Sequence, residues 1–300
     1  INMKNILIIG CGLLGSSLLR RIQKKRMANK IYIYEKSKSN ITKIKKLKLP
    51  GIIIKKLEDG VVKADLIILC TPMNEYKNLI LRMNKFLSSK TIITDVGSSK
   101  IESSKIIKKY LRKDISWTQS HPIAGSEVSG PEYGRQDIFE DKWCVLIKEK
   151  NTKKNHLNIL NKFWKKIGSK IVIMSPEKHD KIFSITSHLP HLIAYNLVKS
   201  AQDFEKIQNF DLIKYSAGGL RDFSRIAASN EIMWRDIFFN NKQNISRAID
   251  LFIKNLNSFK KDINSKNNKS ILKKLIQTKK VRSKIIKLKQ DINKPDFGRN

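Results

Sequence analysis

The strongest constraint on the fold lies near the start of the chain, where an apolar run leads directly into closely spaced glycines. Residues 5–9 have the composition of a buried parallel strand, and Gly10, Gly12 and Gly15 follow them. An amphipathic helix is predicted over residues 14–23. A strand, a Gly-x-Gly-x-x-Gly turn and a helix in this order predict a dinucleotide-binding α/β domain.

Each part of this pattern has a role in holding a dinucleotide. Gly10 makes the tight turn, Gly12 lets the backbone approach the pyrophosphate, and Gly15 lets the helix pack closely on the strand. The start of the helix, at Leu13 and Leu14, offers unpaired backbone N–H groups to the phosphates. These five residues are therefore predicted to bind the cofactor.

The acidic residue that follows the second strand predicts the kind of cofactor. Residues 30–34 form that strand, and Glu35 lies twenty residues after Gly15. Its carboxylate can accept hydrogen bonds from the adenosine ribose hydroxyls and would repel a 2′-phosphate, so NAD is predicted. Lys36 and Lys38 follow directly and could offset that repulsion, which leaves NADP open.

Two further strand ends are predicted to face the cofactor, because ligands in this fold lie at the carboxyl ends of the strands. Residues 64–69 form a buried strand followed by Thr71 and Pro72, which are either nicotinamide-side wall residues or an ordinary turn. Residues 91–94 form the next strand, before Ser98 and Ser99. Both serines are candidate caps for the following helix, and Ser98 is alternatively a substrate contact.

The stretch Ser-His-Pro-Ile-Ala-Gly-Ser-Glu at residues 120–127 brings an imidazole, a hydroxyl and a carboxylate together. Its proline and glycine disfavour the interior of a regular helix or strand, so a loop is predicted. Functional side chains are common on loops of fixed shape. Taken alone, the stretch is equally consistent with a turn in which His121 binds backbone.

The strand pattern stops near residue 175. Further strands are predicted at residues 143–147 and 170–174, with a helix at residues 153–167 between them. The later segments carry apolar residues three and four apart, as in helices, at residues 179–186, 190–199, 230–239 and 241–263. We therefore predict an α/β domain at residues 1–175 and an all-helical domain at residues 176–300.

The formal net charge of +35 would suit a nucleic-acid-binding protein, but the lysines are spread along the whole chain. We interpret them as solvated surface that attracts anionic small molecules into a cleft. Residues 270–300 predict a basic amphipathic helix with a frayed end after Pro295. This helix is interpreted as packing on the domain or a partner chain, with a nucleic-acid or membrane-surface role as the alternative.

Cysteine usage and hydropathy bear on the compartment. The three cysteines are far apart in the sequence, which argues against a disulfide framework or a zinc site and fits a reducing cytoplasm. No apolar run reaches the ~20 residues needed to span a bilayer. The first residues enter a strand-like pattern at once, so no signal peptide is expected.

Several motifs in one order are more specific than any of them alone. They are the glycine pattern, His-Pro-Ile-Ala-Gly-Ser-Glu at residues 121–127, Ser-His-Leu-Pro-His at 187–191, Gly-Gly-Leu-Arg-Asp-Phe-Ser-Arg-Ile-Ala at 218–227 and Met-Trp-Arg-Asp at 233–236. Together they resemble the prephenate and arogenate dehydrogenase family of tyrosine biosynthesis, over residues 5–262. The resemblance implies a Rossmann-type NAD domain followed by an all-helical dimerisation domain, with the active site in the cleft between them. It also implies the single-function form, without a chorismate mutase segment or a regulatory domain.

The reaction implied by the resemblance is oxidative decarboxylation of prephenate to 4-hydroxyphenylpyruvate, with arogenate, which gives tyrosine, as the alternative substrate. By resemblance, His121 accepts a hydrogen bond and then the proton of the ring hydroxyl, and Ser98 makes a second contact to that hydroxyl. Arg225 is the implied carboxylate clamp, since a guanidinium fork matches a carboxylate in two bonds. The other implied residues of the substrate cleft are Ser126, Glu127 and His191.

Residues close to these implied site residues in the sequence are expected to have supporting roles. We expect Asp222 to orient Arg225, Trp234 to pack rather than bind, and Glu127 to gate the site or tune its charge. His188 is interpreted as a structural neighbour of His191. Two further histidines fall outside the motifs, namely His156, expected to be solvated, and His179.

Two other classes of protein are less consistent with the sequence. Dehydrogenases of the β-hydroxyacid or pyrroline-carboxylate type share the two-domain plan but lack the two histidine motifs in this order. A nucleic-acid-binding protein would explain the charge but not the glycine pattern. The prediction is therefore a cytoplasmic, homodimeric NAD-dependent oxidoreductase without a metal, a membrane or a specific nucleic acid as partner.

Overall fold

The computed structural model describes residues 3–291 of the chain, and the predicted frayed end after Pro295 lies outside them. Six parallel strands form the main sheet, namely β1 (Met3–Ile9), β2 (Ala28–Tyr34), β3 (Ile52–Ile53), β4 (Leu66–Leu69), β5 (Ile92–Asp95) and β6 (Ser116–Trp117). Their order in the sheet is β3-β2-β1-β4-β5-β6. The strand order reverses between β1 and β4, which is where ligands bind in sheets of this kind.

Helices cover both faces of this sheet because its strands are apolar on both sides. Ile6 and Ile8 lie in one buried cluster and Leu7 and Ile9 in another, since successive side chains of a strand point to opposite faces. The helices of this part are α1 (Leu13–Lys24), α2 (Lys38–Lys46), α3 (Leu57–Val61), α4 (Tyr76–Met83), α5 (Ile101–Tyr110) and α6 (Lys154–Ile167). Buried side chains of α1, α2 and α6 join the first cluster, and those of α3 and α4 join the second.

A second sheet of three strands carries His121. Its strands are β7 (Ser120–Pro122), β8 (Trp143–Ile147) and β9 (Lys170–Met174), with β7 antiparallel to β8 and β9 parallel to it. The predicted loop is therefore wrong for residues 120–122, where His121 pairs with Val145. Because β7 is an edge strand, Pro122 is tolerated there.

Beyond Met174 the described residues contain helices and turns only. The helices are α7 (Pro176–Phe183), α8 (Leu189–Gln208), α9 (Gly218–Ala227), α10 (Glu231–Asn240), α11 (Lys242–Asn264) and α12 (Asn268–Lys287), with a π-helical turn at Ser184–His188. Short 3₁₀ turns lie at Met73–Glu75, Asn84–Phe86, Pro131–Tyr133 and Ile213–Tyr215. The predicted fold class, a parallel α/β unit followed by helices, is confirmed.

The helical half is packed against the sheet rather than tethered to it. Trp234 and Ile237 of α10 lie in the same buried cluster as Met73 and Tyr76, on the second face of the main sheet. A cleft lies between the strand ends and these helices. None of the helices within residues 3–291 has the length and apolar character needed to cross a membrane.

Candidate active site

A cleft of about 840 Å³ opens where the order of the main sheet reverses, between the glycine turn and the helices that follow Met174. Most of the predicted site residues line it, although they come from six separate segments of the chain. These are Gly12, Leu13, Leu14, Thr71, Pro72, Ser98, His121, Ser126, Glu127, His191 and Arg225. Gly10, Gly15 and Glu35 are not part of this lining.

The glycine turn leaves room for a ligand at the start of α1. Gly10 has φ of +87°, and a Cβ there would lie 2.9 Å from both the Cys70 carbonyl oxygen and Thr71 Cγ2. Glycine is thus required at position 10 by conformation and by space. At Gly12, by contrast, no atom of the described residues beyond its immediate chain neighbours and the adjoining helix backbone lies within 4 Å of where a Cβ would be. The backbone there faces open space, as phosphate binding at a helix N-terminus requires.

The Glu35 carboxylate is fixed beside this turn. The backbone N–H of Cys11 donates to its Oε2 and the backbone N–H of Ser37 to its Oε1, each at 2.8 Å. Lys36, predicted to offset the Glu35 charge, instead has its ammonium 2.6 Å from Glu75. The Glu35 carboxylate is thus held at the end of β2, and Lys36 pairs with Glu75 instead of with Glu35.

His121 lines the cleft and is the first member of a chain of hydrogen-bonded polar groups that leads into the interior. Its Nδ1 is 2.8 Å from Nε2 of His179, and Nδ1 of His179 is 2.7 Å from Oδ1 of Asp180. His179 and Asp180 are both fully buried. The sequence analysis did not predict a role for this pair, because it lies outside the motifs. A His-Asp dipeptide near the start of a helix is only a weak indication of a functional site.

Asp180 also closes the first turn of α5. Its Oδ1 accepts the backbone N–H of Lys100 at 2.8 Å, and its Oδ2 accepts that of Ile101 at 2.9 Å. The prediction that Ser98 or Ser99 caps this helix is wrong, because no side-chain cap comes from its own N-terminal residue. Ser98 lines the cleft instead, and its alternative role as a substrate contact stays a prediction.

A buried ion pair lies beneath His121. The ammonium of Lys100 is 2.7 Å from Oδ2 of Asp95 and donates to the carbonyl oxygen of Ser120 at 2.7 Å. Both charged side chains are fully buried. The hydroxyl of Tyr76 donates to the same Asp95 oxygen at 2.9 Å. The pair is therefore compensated by further hydrogen bonds, as a buried charge requires.

The environment keeps His121 neutral. Burial lowers the pKa of His121 well below its usual range, and the neighbouring His179, Lys100 and His188 lower that pKa further. Burial likewise lowers the pKa of His179 well below the usual range, with Lys100 adding to the effect. The geometry thus supplies an uncharged imidazole with one nitrogen engaged inside the protein.

The opposite wall of the cleft carries the groups suited to a carboxylate. Nη1 of Arg225 lies 3.4 Å from Oε1 of Glu127, whose Oε2 accepts the Ser126 hydroxyl at 2.8 Å. The imidazole of His191 stacks on the indole of Trp234, with ring centroids 3.8 Å apart and an interplanar angle of 21°. Trp234 is buried, so it acts as a platform that holds His191 in place.

The remaining two histidines have different surroundings. His156 is 8% exposed, and the prediction that it is solvated is wrong. It packs inside α6, whose apolar residues cover the sheet. His188 is also buried, with its Nδ1 3.1 Å from Nδ2 of Asn241, as suits a structural neighbour of the cleft.

Most of the chain matches known protein families and individual proteins. The model of the prephenate dehydrogenase nucleotide-binding domain matches residues 18–173, and that of the prephenate dehydrogenase dimerization domain matches residues 175–278. Cyclohexadienyl dehydrogenase from Zymomonas mobilis is 33% identical over 279 residues, which are 93% of this chain and 95% of that protein. Prephenate dehydrogenase from Bacillus subtilis is 31% identical over 260 residues, 85% of this chain and 69% of that protein.

The fold matches a solved structure equally well. The crystal structure of prephenate dehydrogenase from Aquifex aeolicus, in complex with hydroxyphenyl propionate and NAD⁺, superposes with a TM-score of 0.88 at 34% identity. The match covers 95% of this chain and 99% of that one. With both halves matched in order and relatives above 30% identity over nearly the whole chain, this protein belongs to the prephenate dehydrogenase family.

Proposed function

We propose that the chain is an NAD-dependent prephenate dehydrogenase that converts prephenate to 4-hydroxyphenylpyruvate by oxidative decarboxylation. The observation that carries the proposal is one cleft in which His121, Ser98 and Arg225 face the space beside the glycine turn. A neutral base, a hydroxyl and a guanidinium are the groups that a hydroxylated ring bearing carboxylates requires. The names of the relatives from Bacillus subtilis and Aquifex aeolicus support the same substrate.

The nucleotide end of the cleft fits NAD. Open space beside Gly12 and the N-terminus of α1 suit the pyrophosphate, and Glu35 suits the ribose hydroxyls. The Thr71 hydroxyl oxygen is buried and has no hydrogen-bond partner among the described residues, which leaves it available to a ligand. When bound there, NAD⁺ supplies the hydride acceptor of the reaction.

The residues of this chain then have separate tasks. His121 accepts a hydrogen bond and finally the proton from the ring hydroxyl, while Ser98 holds that hydroxyl in place. Arg225 and His191 bind carboxylate at the other wall. Loss of carbon dioxide and formation of an aromatic ring supply the driving force, so the protein mainly positions the groups, a contribution worth ~7–11 kcal/mol in favourable cases.

Replacement of Arg225 by lysine is expected to raise the KM for prephenate by about tenfold or more, because a point charge cannot make the two parallel bonds of a guanidinium. The measurement is initial-rate kinetics at saturating NAD⁺. Arg112→Lys is the matched control, since Arg112 makes a two-bond pair with Asp114 away from the cleft. An unchanged KM in Arg225→Lys would remove Arg225 from the substrate site.

Replacement of Glu35 by glutamine is expected to raise kcat/KM for NADP⁺ relative to NAD⁺ by about tenfold, because the charge that repels a 2′-phosphate is lost. Both cofactors are compared at one prephenate concentration and one ionic strength. Glu102→Gln serves as the control, since Glu102 pairs with Lys105 on the exposed face of α5. If the cofactor ratio stays constant, Glu35 does not set the preference.

A second candidate substrate is arogenate, and one observation favours it. Asp236 is buried in the cleft lining, and its Oδ1 accepts hydrogen bonds from the Arg235 guanidinium at 2.8 and 3.0 Å. Its Oδ2 has no hydrogen-bond partner among the described residues. A carboxylate oxygen in that state suits the ammonium group of arogenate better than the keto group of prephenate.

The two candidates are separated by one experiment. NADH formation is followed with prephenate and with arogenate side by side, with NADP⁺ in place of NAD⁺ as the cofactor control. A higher kcat/KM for prephenate supports the first candidate, and a higher value for arogenate supports the second. Absence of turnover with both, in protein that binds NAD⁺, would overturn both.

We further propose that the enzyme is a homodimer formed through its helical half. The family model matched there is a dimerization domain, and helices α8, α11 and α12 expose many large apolar side chains. Among them are Leu197, Phe204, Leu251, Leu256, Leu272 and Leu275. Exposed apolar surface of this extent is typical of an interface. Since the three cysteines are unpaired, we place the dimer in the reducing cytoplasm.

A further inference from the structure

We propose that His179 and Asp180 are positioning residues that fix the proton of His121 on Nδ1, so that Nε2 of His121 is the acceptor offered to the substrate hydroxyl. The inference rests on the proposed function, since it specifies which nitrogen serves as the base of that reaction. Neither residue lies in the sequence motifs.

Asp180, the innermost group, determines which ring nitrogen of His179 carries the proton. An ionised carboxylate only accepts hydrogen bonds, and Asp180 already accepts the backbone N–H groups of Lys100 and Ile101 at 2.8 and 2.9 Å. Its Oδ1 also lies 2.7 Å from Nδ1 of His179. Burial raises the pKa of Asp180, while the backbone N–H groups of Ile101 and Lys100 lower it and favour the charged form. With Asp180 ionised, the short contact requires a donor on the histidine, so His179 carries a proton on Nδ1.

The protonation of His179 in turn determines which ring nitrogen of His121 carries the proton. A neutral imidazole has one N–H and one lone pair, so Nε2 of His179 is an acceptor. Nδ1 of His121 lies 2.8 Å away and must donate to it. Because His121 is itself neutral, its Nε2 carries the remaining lone pair. The two contacts therefore assign one tautomer to each ring.

Packing prevents the rings from turning out of this arrangement. The ring of Phe183 lies 5.0 Å from that of His121 and 4.5 Å from that of His179, measured between centroids. His179 is fully buried, whereas His121 lines the cleft. Nδ1 of His121 is thus held inside the protein, and Nε2 is the nitrogen left for the substrate.

The arrangement also accommodates the product of the proton transfer. When the hydroxyl O–H bond breaks, its proton forms a bond to Nε2 of His121 and the oxygen keeps the electron pair that becomes part of the carbonyl. The resulting imidazolium still donates from Nδ1 to His179, and the ionised Asp180 lies behind it. No proton needs to move beyond His121, so His179 and Asp180 act by orientation and charge.

The first test measures the tautomer directly in the whole wild-type protein without substrate. Long-range ¹H–¹⁵N correlation spectra of ¹⁵N-histidine-labelled enzyme distinguish protonated from unprotonated ring nitrogens. The chain contains only five histidines, so single replacements assign them, with the buried His156→Gln as a control outside the cleft. We expect His121 to be protonated at Nδ1 and bare at Nε2, and the reverse would overturn the proposal.

The second test separates orientation from packing. His179→Phe fills the space but offers no acceptor, whereas His179→Gln retains an acceptor oxygen near Nδ1 of His121. We expect kcat to fall on the order of 10²-fold in His179→Phe and to recover at least tenfold of that loss in His179→Gln, with KM and NAD⁺ affinity little changed. Equal kcat in His179→Phe and wild type would overturn the proposal.

The outcomes distinguish this inference from the proposed function. If His179→Phe fails to fold, the wild-type spectrum still decides the tautomer. If the wild-type enzyme turns over neither prephenate nor arogenate, the proposed function is overturned and the positioning role is overturned with it. Turnover together with the reversed tautomer would overturn the positioning role alone.

Discussion

His121→Asn is expected to lower kcat by ~10²–10⁴-fold, the usual contribution of a positioned general base, while the Kd for NAD⁺ stays unchanged. Asparagine retains a polar side chain on β7, so it preserves the edge strand and the neighbourhood of His179. It has no basic nitrogen to take the hydroxyl proton. The glycine turn and Glu35, which are predicted to bind the cofactor, are not altered.

The measurement is turnover of prephenate at saturating substrate, together with NAD⁺ binding by titration calorimetry. His156→Asn is the matched control, since it replaces a buried histidine outside the cleft and should leave kcat unchanged. Equal turnover in His121→Asn and wild type would exclude His121 as the base.

The wild-type pH profile adds an independent check on His121. Its pKa is lowered well below 6.5 by burial first, and then by His179, Lys100 and His188. A lowered pKa means that the imidazole stays unprotonated as the pH falls through 6.5, so kcat should hold there and decline only at lower pH. A decline centred at 6.5 would show an ordinary, solvated histidine.

Lys100→Met is expected to destabilise the fold by about 3–5 kcal/mol, because it leaves the Asp95 carboxylate buried without its cation. Both side chains of this pair are fully buried, with Nζ and Oδ2 2.7 Å apart. Methionine fills the volume of the lysine stem, so the expected loss comes from the unpaired charge rather than from a cavity.

The prediction is checked by urea unfolding at one protein concentration, with tryptophan fluorescence as the signal. Asp95→Asn combined with Lys100→Met should recover part of the loss, since the unpaired charge is then removed. The control is Lys105→Met, an exposed partner of Glu102 that is expected to change stability by less than about 1 kcal/mol. A Lys100→Met protein as stable as wild type would show that water reaches Asp95.

The nucleotide-binding half could be predicted from the sequence because its signals are local. The apolar run of β1, the glycines and Glu35 follow one another within one strand-helix-strand unit, and each has a fixed role in that geometry. The resemblance of the later motifs to a known family then supplied Ser98, His121 and Arg225. All three lie on one cleft, although they are far apart in the chain.

The parts that escaped prediction depend on contacts between distant segments. Asp180 caps α5 from 79 and 80 residues away, so local cap rules pointed to the serines instead. His179 becomes a neighbour of His121 only when α7 packs under β7. The burial of Lys100 is equally invisible in the sequence, because a lysine before a helix is ordinarily a surface residue.

The strand at β7 escaped prediction for a different reason. Pro122 is unfavourable inside a sheet, and the sequence does not reveal that this strand lies at an edge. The distinction bears on the site, because a strand in register with β8 holds His121 more firmly than a free loop would.

The contacts of Asp180 with both α5 and His179 have a consequence for domain exchange between related enzymes. This carboxylate belongs to the first helix after the strands, yet it completes the start of α5 and orients His179. A chimera joined at residue 175 would therefore replace a support of the proposed base along with the proposed substrate wall. Grafts intended to change substrate choice should begin after Phe183, so that the recipient keeps both His179 and Asp180.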